Sequence, residues 1–191
     1  MRIPKEHYLQ KPLRVHAFLA DVPLHDVWAF RLQHSRKRKT LRDFRALLSD
    51  GSMETVNPVV KLFFKLRTVL GQVFGWDGQT QQITEDSYIH RLTAEDREKS
   101  ICKPGSSTID PFHLIYECKD EVLEEAMNTT VHAFSLMKME PVSDGHVVYW
   151  AIYVKKVSFW TPVYMALIDP FRRLFIYPAI IKKAERAWVS S

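Results

Sequence analysis

Between Leu13 and Gln33 two stretches rich in β-branched and aromatic residues, RVHAFLADV and DVWAFRLQ, are parted by PLHD, and the pattern predicts one or both as strands. After the run HSRKRK, residues Thr40 to Asp43 have the spacing of a capping box. A helix is expected to open there, run through Leu48 and close at Asp50-Gly51. A stronger helical period follows Asn57-Pro58, a cap residue before a proline suited to the first helical position. Val59, Leu62, Phe63, Leu66, Val69, Leu70 and Val73 form one apolar stripe, with Lys61, Lys65 and Arg67 largely off it, and Gly75 ends the run.

Residues 84–111 are polar, with a short helix expected after the cap residue Thr93 and then the loop-like KPGSST. From Phe112 the pattern turns to strands. FHLIYECKD, EVLEEAM, TTVHAFSLMKME and HVVYWAIYVKKV predict an antiparallel meander, the last pair joined through Ser143-Asp144-Gly145. Alternation sets Leu114, Tyr116 and Cys118 on one face and His113, Ile115 and Glu117 on the other. The last strand is apolar or aromatic on both faces, which predicts cover on both sides or one face on a cavity or interface.

The segment SFWTPVYMALIDPFRRLFIYPAII (158–181) is long enough to cross a bilayer, but Asp169, Arg172 and Arg173 sit near its middle. A charge there costs roughly 2.5–3.5 kcal/mol on insertion scales. Thr161-Pro162 and Asp169-Pro170 each place a capping side chain before proline, as at helix starts. The preferred reading is two short helices, or one helix kinked near Asp169, lying across a sheet. In it Phe171, Leu174 and Phe175 face the core and Arg172 and Arg173 stay in water. Docking in a headgroup layer is the second reading, and a true span the third.

Composition narrows the picture modestly. The 191 residues, 46% hydrophobic and 26% charged, suit one ordinary globular domain. Five Trp, 7 Tyr and 11 Phe ask for an aromatic core or an apolar pocket lined with rings. The net charge of +5 favours anionic partners weakly. Arg36-Lys37-Arg38-Lys39 with Arg42 and Arg45 fits phosphate groups or, more commonly, a solvated loop; without zinc spacing or a continuous basic helix face, no nucleic-acid partner is expected. Two cysteines make neither a disulfide scaffold nor a zinc site, and the first residues lack an apolar signal core, so a cytoplasmic location is expected, peripheral to a membrane in the docking reading. HExxH, CxxC, GxSxG and a glycine-rich phosphate loop are all missing, so no metal or cofactor is expected.

The stretches NPVVKLFFKLRTVLGQVFG, FHLIYECKDEVL and VYWAIYVKKVSFWTPVYMALIDPFRRLFIYPAI, in that order, resemble the helix-grip layout of the SRPBCC superfamily. That superfamily includes START lipid-transfer domains, pollen-allergen-like proteins and polyketide cyclases, and the likeness is greatest to a bacterial domain-of-unknown-function branch. It runs over roughly residues 13–188 by the order of elements. The resemblance implies an α+β fold, a curved antiparallel sheet gripping a long, Pro-kinked C-terminal helix, with two helices after the first strand region. Residues 1–12 would be an arm and 13–191 a single domain, whose polar excursion at 77–111 departs from the common layout. The resemblance also implies an apolar cavity between sheet and final helix, lined by Tyr149, Trp150 and Tyr153 of the last strand and Trp160, Tyr164 and Phe171 of the helix.

The expected function is therefore binding of a hydrophobic small molecule: a lipid, polyketide or aromatic metabolite. Arg67, at the edge of its helical stripe, could reach a ligand carboxylate or simply lie at the surface. A rival reading is a cyclase- or lyase-type enzyme, with His132 and Tyr116 as acid and base beside Tyr149 and Tyr153, where burial would tune their pKa values. The plainer alternative for His132 is a strand histidine with a satisfied hydrogen bond, and for Cys118 a buried inert thiol. Glu117 could orient the histidine only if a bulge brought it to the face of Tyr116. Attachment to an anionic membrane surface through the final helix and the basic run is the third reading.

Overall fold

Four consecutive strands pair antiparallel in chain order: β2 (His113–Glu117), β3 (Glu121–Met127), β4 (Val131–Val142) and β5 (Gly145–Lys156). The first strand, β1 (Leu24–Gln33), joins the free edge of β5, giving an open five-stranded sheet in the order β1-β5-β4-β3-β2. The computed structural model describes residues 1–33, 39–49, 84–106 and 112–190. Ser143 and Asp144 make the two-residue turn between β4 and β5, and Gly145 closes it at φ 146°. A Cβ at Gly145 would fall 2.0 Å from the Leu32 carbonyl oxygen of β1, so glycine is required there.

Both faces of this sheet are covered, as the two-sided apolar pattern of β5 predicts. On one face Val148, Ile152 and Val154 meet α3 (Leu41–Ser49) and the C-terminal helix, together with Trp28, Phe30 and Leu32 of β1. Phe44 of α3 packs on Trp188 at 6.1 Å, and the Trp188 indole N–H donates to the Gln33 carbonyl at 2.9 Å. Thr40 and Asp43 cap α3 reciprocally through side chain and backbone, the predicted capping box.

The other face is covered from the N-terminal side. There Ala151 and Tyr153 of β5 meet Tyr8 of α1 (Lys5–Leu9), Val15 of α2 (Arg14–Phe18), Leu19 just after it, and Tyr88, Ile89 and Leu92. The stretch from Arg14 is thus a helix, and only the second of the two early candidate strands is one. The Leu19 amide donates to the Val15 carbonyl at 2.8 Å, a bond four residues back that a helix makes and a strand does not. The arm is built into the fold: Ile3 and Ala29 amides bond across to Val27 and Met1 carbonyls, and Tyr8 is fully buried. The described part of the excursion holds a 3-10 turn (Tyr88–Arg91) and α4 (Ala94–Lys99), whose Thr93–Asp96 capping box is complete.

The alternation expected along β2 is broken. A bulge between Leu114 and Tyr116 sends Leu114 to the C-terminal helix side while Ile115 and Tyr116 both face the N-terminal side. The amphipathic stretch from Pro58 with Arg67, and the basic run at 36–38, lie outside the described residues. What is described is an α+β domain in which an antiparallel sheet holds a long C-terminal helix on one face, the helix-grip arrangement that the order of elements implies.

Candidate functional site

The C-terminal helix runs as α5 (Thr161–Phe171), a π-turn (Arg172–Ile176) and α6 (Tyr177–Ser190) without a break, with Pro170 inside it. Neither expected cap forms. Thr161 is the first helical residue; its hydroxyl donates to the Thr130 carbonyl at 2.5 Å and accepts from the Val157 and Ser158 amides. Asp169 turns inward to ion pairs instead. The expected orientation of the middle is also reversed: Leu174 is 67% exposed and Phe175 39%, while the Arg172 and Arg173 side chains are 13% and 31% exposed and point at β1. The cause is Asp26, a fully buried carboxylate on the facing strand that draws both guanidinium groups in.

Asp26 is placed by an irregularity at the start of β1. Leu24 opposes Tyr153 and Asp26 opposes Ile152, so His25 is the extra residue of a bulge, a device that re-aims side chains. His25 Nε2 lies 2.7 Å from Asp169 Oδ2, which assigns the ring proton to Nε2 and leaves Nδ1 with a lone pair. Burial first, and the Arg172 charge with it, pull the imidazole below its ordinary range against the opposing effect of Asp169 and Asp26, so His25 is neutral at neutral pH. Asp169 also accepts from Arg172 Nη1 at 2.9 Å and pairs with Arg173 Nη2 at 3.0 Å. Arg172 reaches the Tyr177 hydroxyl; burial works against its charge, but Tyr177, Asp26 and Asp169 keep it firmly protonated. Tyr177 in turn packs between Trp28 at 5.1 Å and Trp150 at 4.9 Å.

Two carboxylates and two guanidinium groups with a neutral histidine thus sit in an otherwise aromatic layer. The set is balanced in charge, yet incompletely bonded: both Asp26 oxygens, Arg173 Nε and Trp28 Nε1 are enclosed without a hydrogen bond. His25, Asp26 and Asp169 also place ligand atoms within 4.8 Å of one another, a spacing open to a cation. Arg172 and Arg173 already hold those oxygens, so a divalent ion would add uncompensated positive charge to a buried place. The sequence reading missed this site by taking PLHD as a separator. The available signal was an adjacent His-Asp at the edge of an apolar strand and an Arg pair in an apolar helix.

The residues singled out from sequence divide between the two sheet faces. Trp150, Tyr164 and Phe171 come together on the C-terminal helix side, and Trp160 is half exposed at the helix start. Tyr149 and Tyr153 lie on the opposite face with Tyr116. There Tyr153 meets His16 Nδ1 at 3.2 Å, Lys11 stands 4.4 Å over the Tyr149 ring, and Tyr116 donates to Glu121 at 2.5 Å. Burial pushes the Tyr116 phenol far up, so it stays protonated. His132 is 1% exposed, stacked on Phe134 and bonded to Glu125 Oε2 at 2.9 Å. Glu125 also accepts from Ser87 and the Tyr88 amide, tying the excursion to the sheet. Burial alone would raise its pKa, but these partners hold it below the ordinary glutamate value. Glu117 goes the other way, to Arg45 and Arg42 of α3, so Glu125 and not Glu117 orients His132. Cys118 is half-buried, and burial raises its thiol.

No curated protein matches the chain. Among solved structures, norcoclaurine synthase from Thalictrum flavum is similar at 8% identity and a TM-score of 0.34, over 93% of each chain. A family model described as "Protein of unknown function (DUF2867)" matches residues 18–179, most of the chain. The chain belongs to that family.

Proposed function

We propose that this DUF2867 protein binds a small molecule with a hydrophobic body and one polar group, held where the C-terminal helix lies on β1. The observation that carries the reading is the Asp26 carboxylate, fully enclosed with neither oxygen hydrogen-bonded. Roughly nine in ten buried polar groups are paired, and exceptions gather at functional places. Here the exception is multiple. Trp28 Nε1 and Arg173 Nε, the latter held to Asp26 only at ion-pair distance, are donors without a hydrogen bond at the same place. A hydroxyl or amide, donor and acceptor at once, matches that set. Trp150, Tyr164, Phe171 and Tyr177 supply apolar surface beside it, which suits the lipid, polyketide or aromatic class expected from sequence. A π-turn in the covering helix supports the reading, since such turns are frequent at functional sites.

The test is native mass spectrometry of the purified protein and of Asp26→Asn, then denaturing extraction of whatever stays bound, with anilinonaphthalene sulfonate as an added probe. Wild type is expected to retain an apolar molecule or bind the probe, and Asp26→Asn to lose it while keeping its circular dichroism. A wild type that carries nothing and leaves the probe unbound ends the reading.

One observation favours a second reading, an acid–base enzyme on the same site: His25 is neutral, oriented by Asp169 and carries a free ring nitrogen. His132, bonded to Glu125 beneath Tyr88, is the weaker choice for that task. An enzyme would leave a chemically different molecule on His25→Gln than on wild type; the same molecule on both removes this reading.

A further inference from the structure

Every exposed position from Phe159 to Pro178 is apolar. Trp160, Val163 and Leu167 are 40–49% exposed and Leu174 67%, and they recur at helical spacing along one side. At 1.5 Å per residue the strip is about 27 Å long. Contiguous apolar surface of this extent on a folded domain marks an interaction site. The charges that ought to lie outside are inside: Asp169, Arg172 and Arg173 all turn toward Asp26. Such an inversion fits a helix whose outer side meets something less polar than water.

We infer that the outer face of this helix docks on an anionic lipid surface. Charge decides the occupant. Between Val154 and Ala184 the only acid is Asp169, and it faces inward, whereas Lys156 and Lys182 are exposed at the two ends. Lys182 continues the strip itself, four residues after Pro178 and eight after Leu174. A second copy laid antiparallel on the strip would bring Lys156 against Lys182, like charge on like. A negatively charged headgroup layer accepts both lysines and takes the leucines into its acyl boundary. Phe159 and Trp160 at the helix start suit the headgroup level, where aromatic rings gather. The helix lies on the membrane and does not cross it: among the described residues no helix is long and apolar enough to span. This inference is independent of the small-molecule reading, which concerns the inner face of the same helix.

The test is flotation of the full chain with phosphatidylcholine vesicles, with and without phosphatidylserine. Binding is expected to phosphatidylserine vesicles and to weaken as salt is raised. Leu167→Ser/Leu174→Ser is expected to weaken partition by at least about tenfold for each leucine, and Lys156→Glu/Lys182→Glu to abolish the preference for phosphatidylserine. Circular dichroism should be unchanged in both, since these side chains are exposed. Asp26→Asn should still float. Any of three results overturns the inference: no flotation with phosphatidylserine vesicles at low salt, flotation indifferent to the leucine pair, or self-association that the leucine pair abolishes in a protein that ignores vesicles.

Discussion

Arg173 Nε stands 3.5 Å from Asp26 Oδ2 across the sheet–helix interface, while the next residue, Leu174, is two-thirds exposed. One buried acid thereby sets the rotation of the whole middle of the C-terminal helix. Removing one partner of a buried ion cluster leaves its counterpart stranded, so Asp26→Leu is expected to cost about 3–5 kcal/mol in urea unfolding. Asp26→Leu with Arg173→Met, which removes charge of both signs, is expected to cost less than the single change. If the single change costs under about 1 kcal/mol, the cluster acts no more strongly than a surface pair and does not orient the helix.

His25 gives the protein a pH dependence of definite sign. Its folded pKa lies below the ordinary 6.5, so the unfolded chain binds the extra proton first. Stability from this group is complete above about 6.5 and is lost as pH falls through the lower folded value. The thermal midpoint of wild type should therefore drop as pH falls below neutral, and the drop should shrink in His25→Gln. Parallel curves for the two proteins over that window would show that His25 does not titrate in this way.

On the opposite face, Glu125 behaves as a depressed carboxylate. Its contribution is present above the ordinary 4.5 and disappears as pH falls through the folded value. His132→Phe takes away its buried partner and should cost about 3 kcal/mol at neutral pH. The variant should also lose stability less steeply on acidification, because Ser87 and the Tyr88 amide alone hold its Glu125 ionised less firmly. A variant as stable as wild type would mean that the Glu125–His132 pair contributes nothing net.

Gly145→Ala combines a φ of 146° with a Cβ 2.0 Å from the Leu32 carbonyl oxygen. The backbone strain alone is about 1–3 kcal/mol, and β1 must move away besides. Urea unfolding should show at least that loss; a change within about 0.5 kcal/mol would place the substitution in the range of ordinary surface changes and contradict the close approach of β1.

The meander was legible because β-branched and aromatic runs alternate with short breaks and a Ser-Asp-Gly turn parts β4 from β5, and α3 because its cap residues, Thr40 and Asp43, lie three apart in the sequence. What could not be read was which face of an element turns inward when a single distant charge decides it. The period of 158–181 gave two faces, and ordinary burial assigned Phe171, Leu174 and Phe175 to the core. Asp26, 143 positions before Asp169 in a different element, reversed the assignment for Leu174 and Phe175 and left Phe171 on the core side. RVHAF misled for a related reason: β-branched and aromatic residues over five positions serve a short helix against a sheet as well as a strand within it. His25 was invisible because a bulge is a property of the pair of strands and not of one sequence.

The π-turn at Arg172–Ile176 makes the helix tolerant of a change in chain length at one place only. An α-helix advances 100° per residue, so one residue more or less rotates everything beyond it. Tyr164, Met165 and Ile168 upstream and Tyr177, Ile181, Ala184 and Trp188 downstream all reach the same layer because the wide turn absorbs one extra residue between them. Losing one residue within 172–176 would return the turn to ordinary α geometry and keep the two halves in phase. The same loss at Ala166 or Ala179 would swing one half about 100° from its place. Among related chains, single-residue length differences in this helix should therefore collect in the turn, and the chains without the extra residue should be those with a different polar arrangement opposite it.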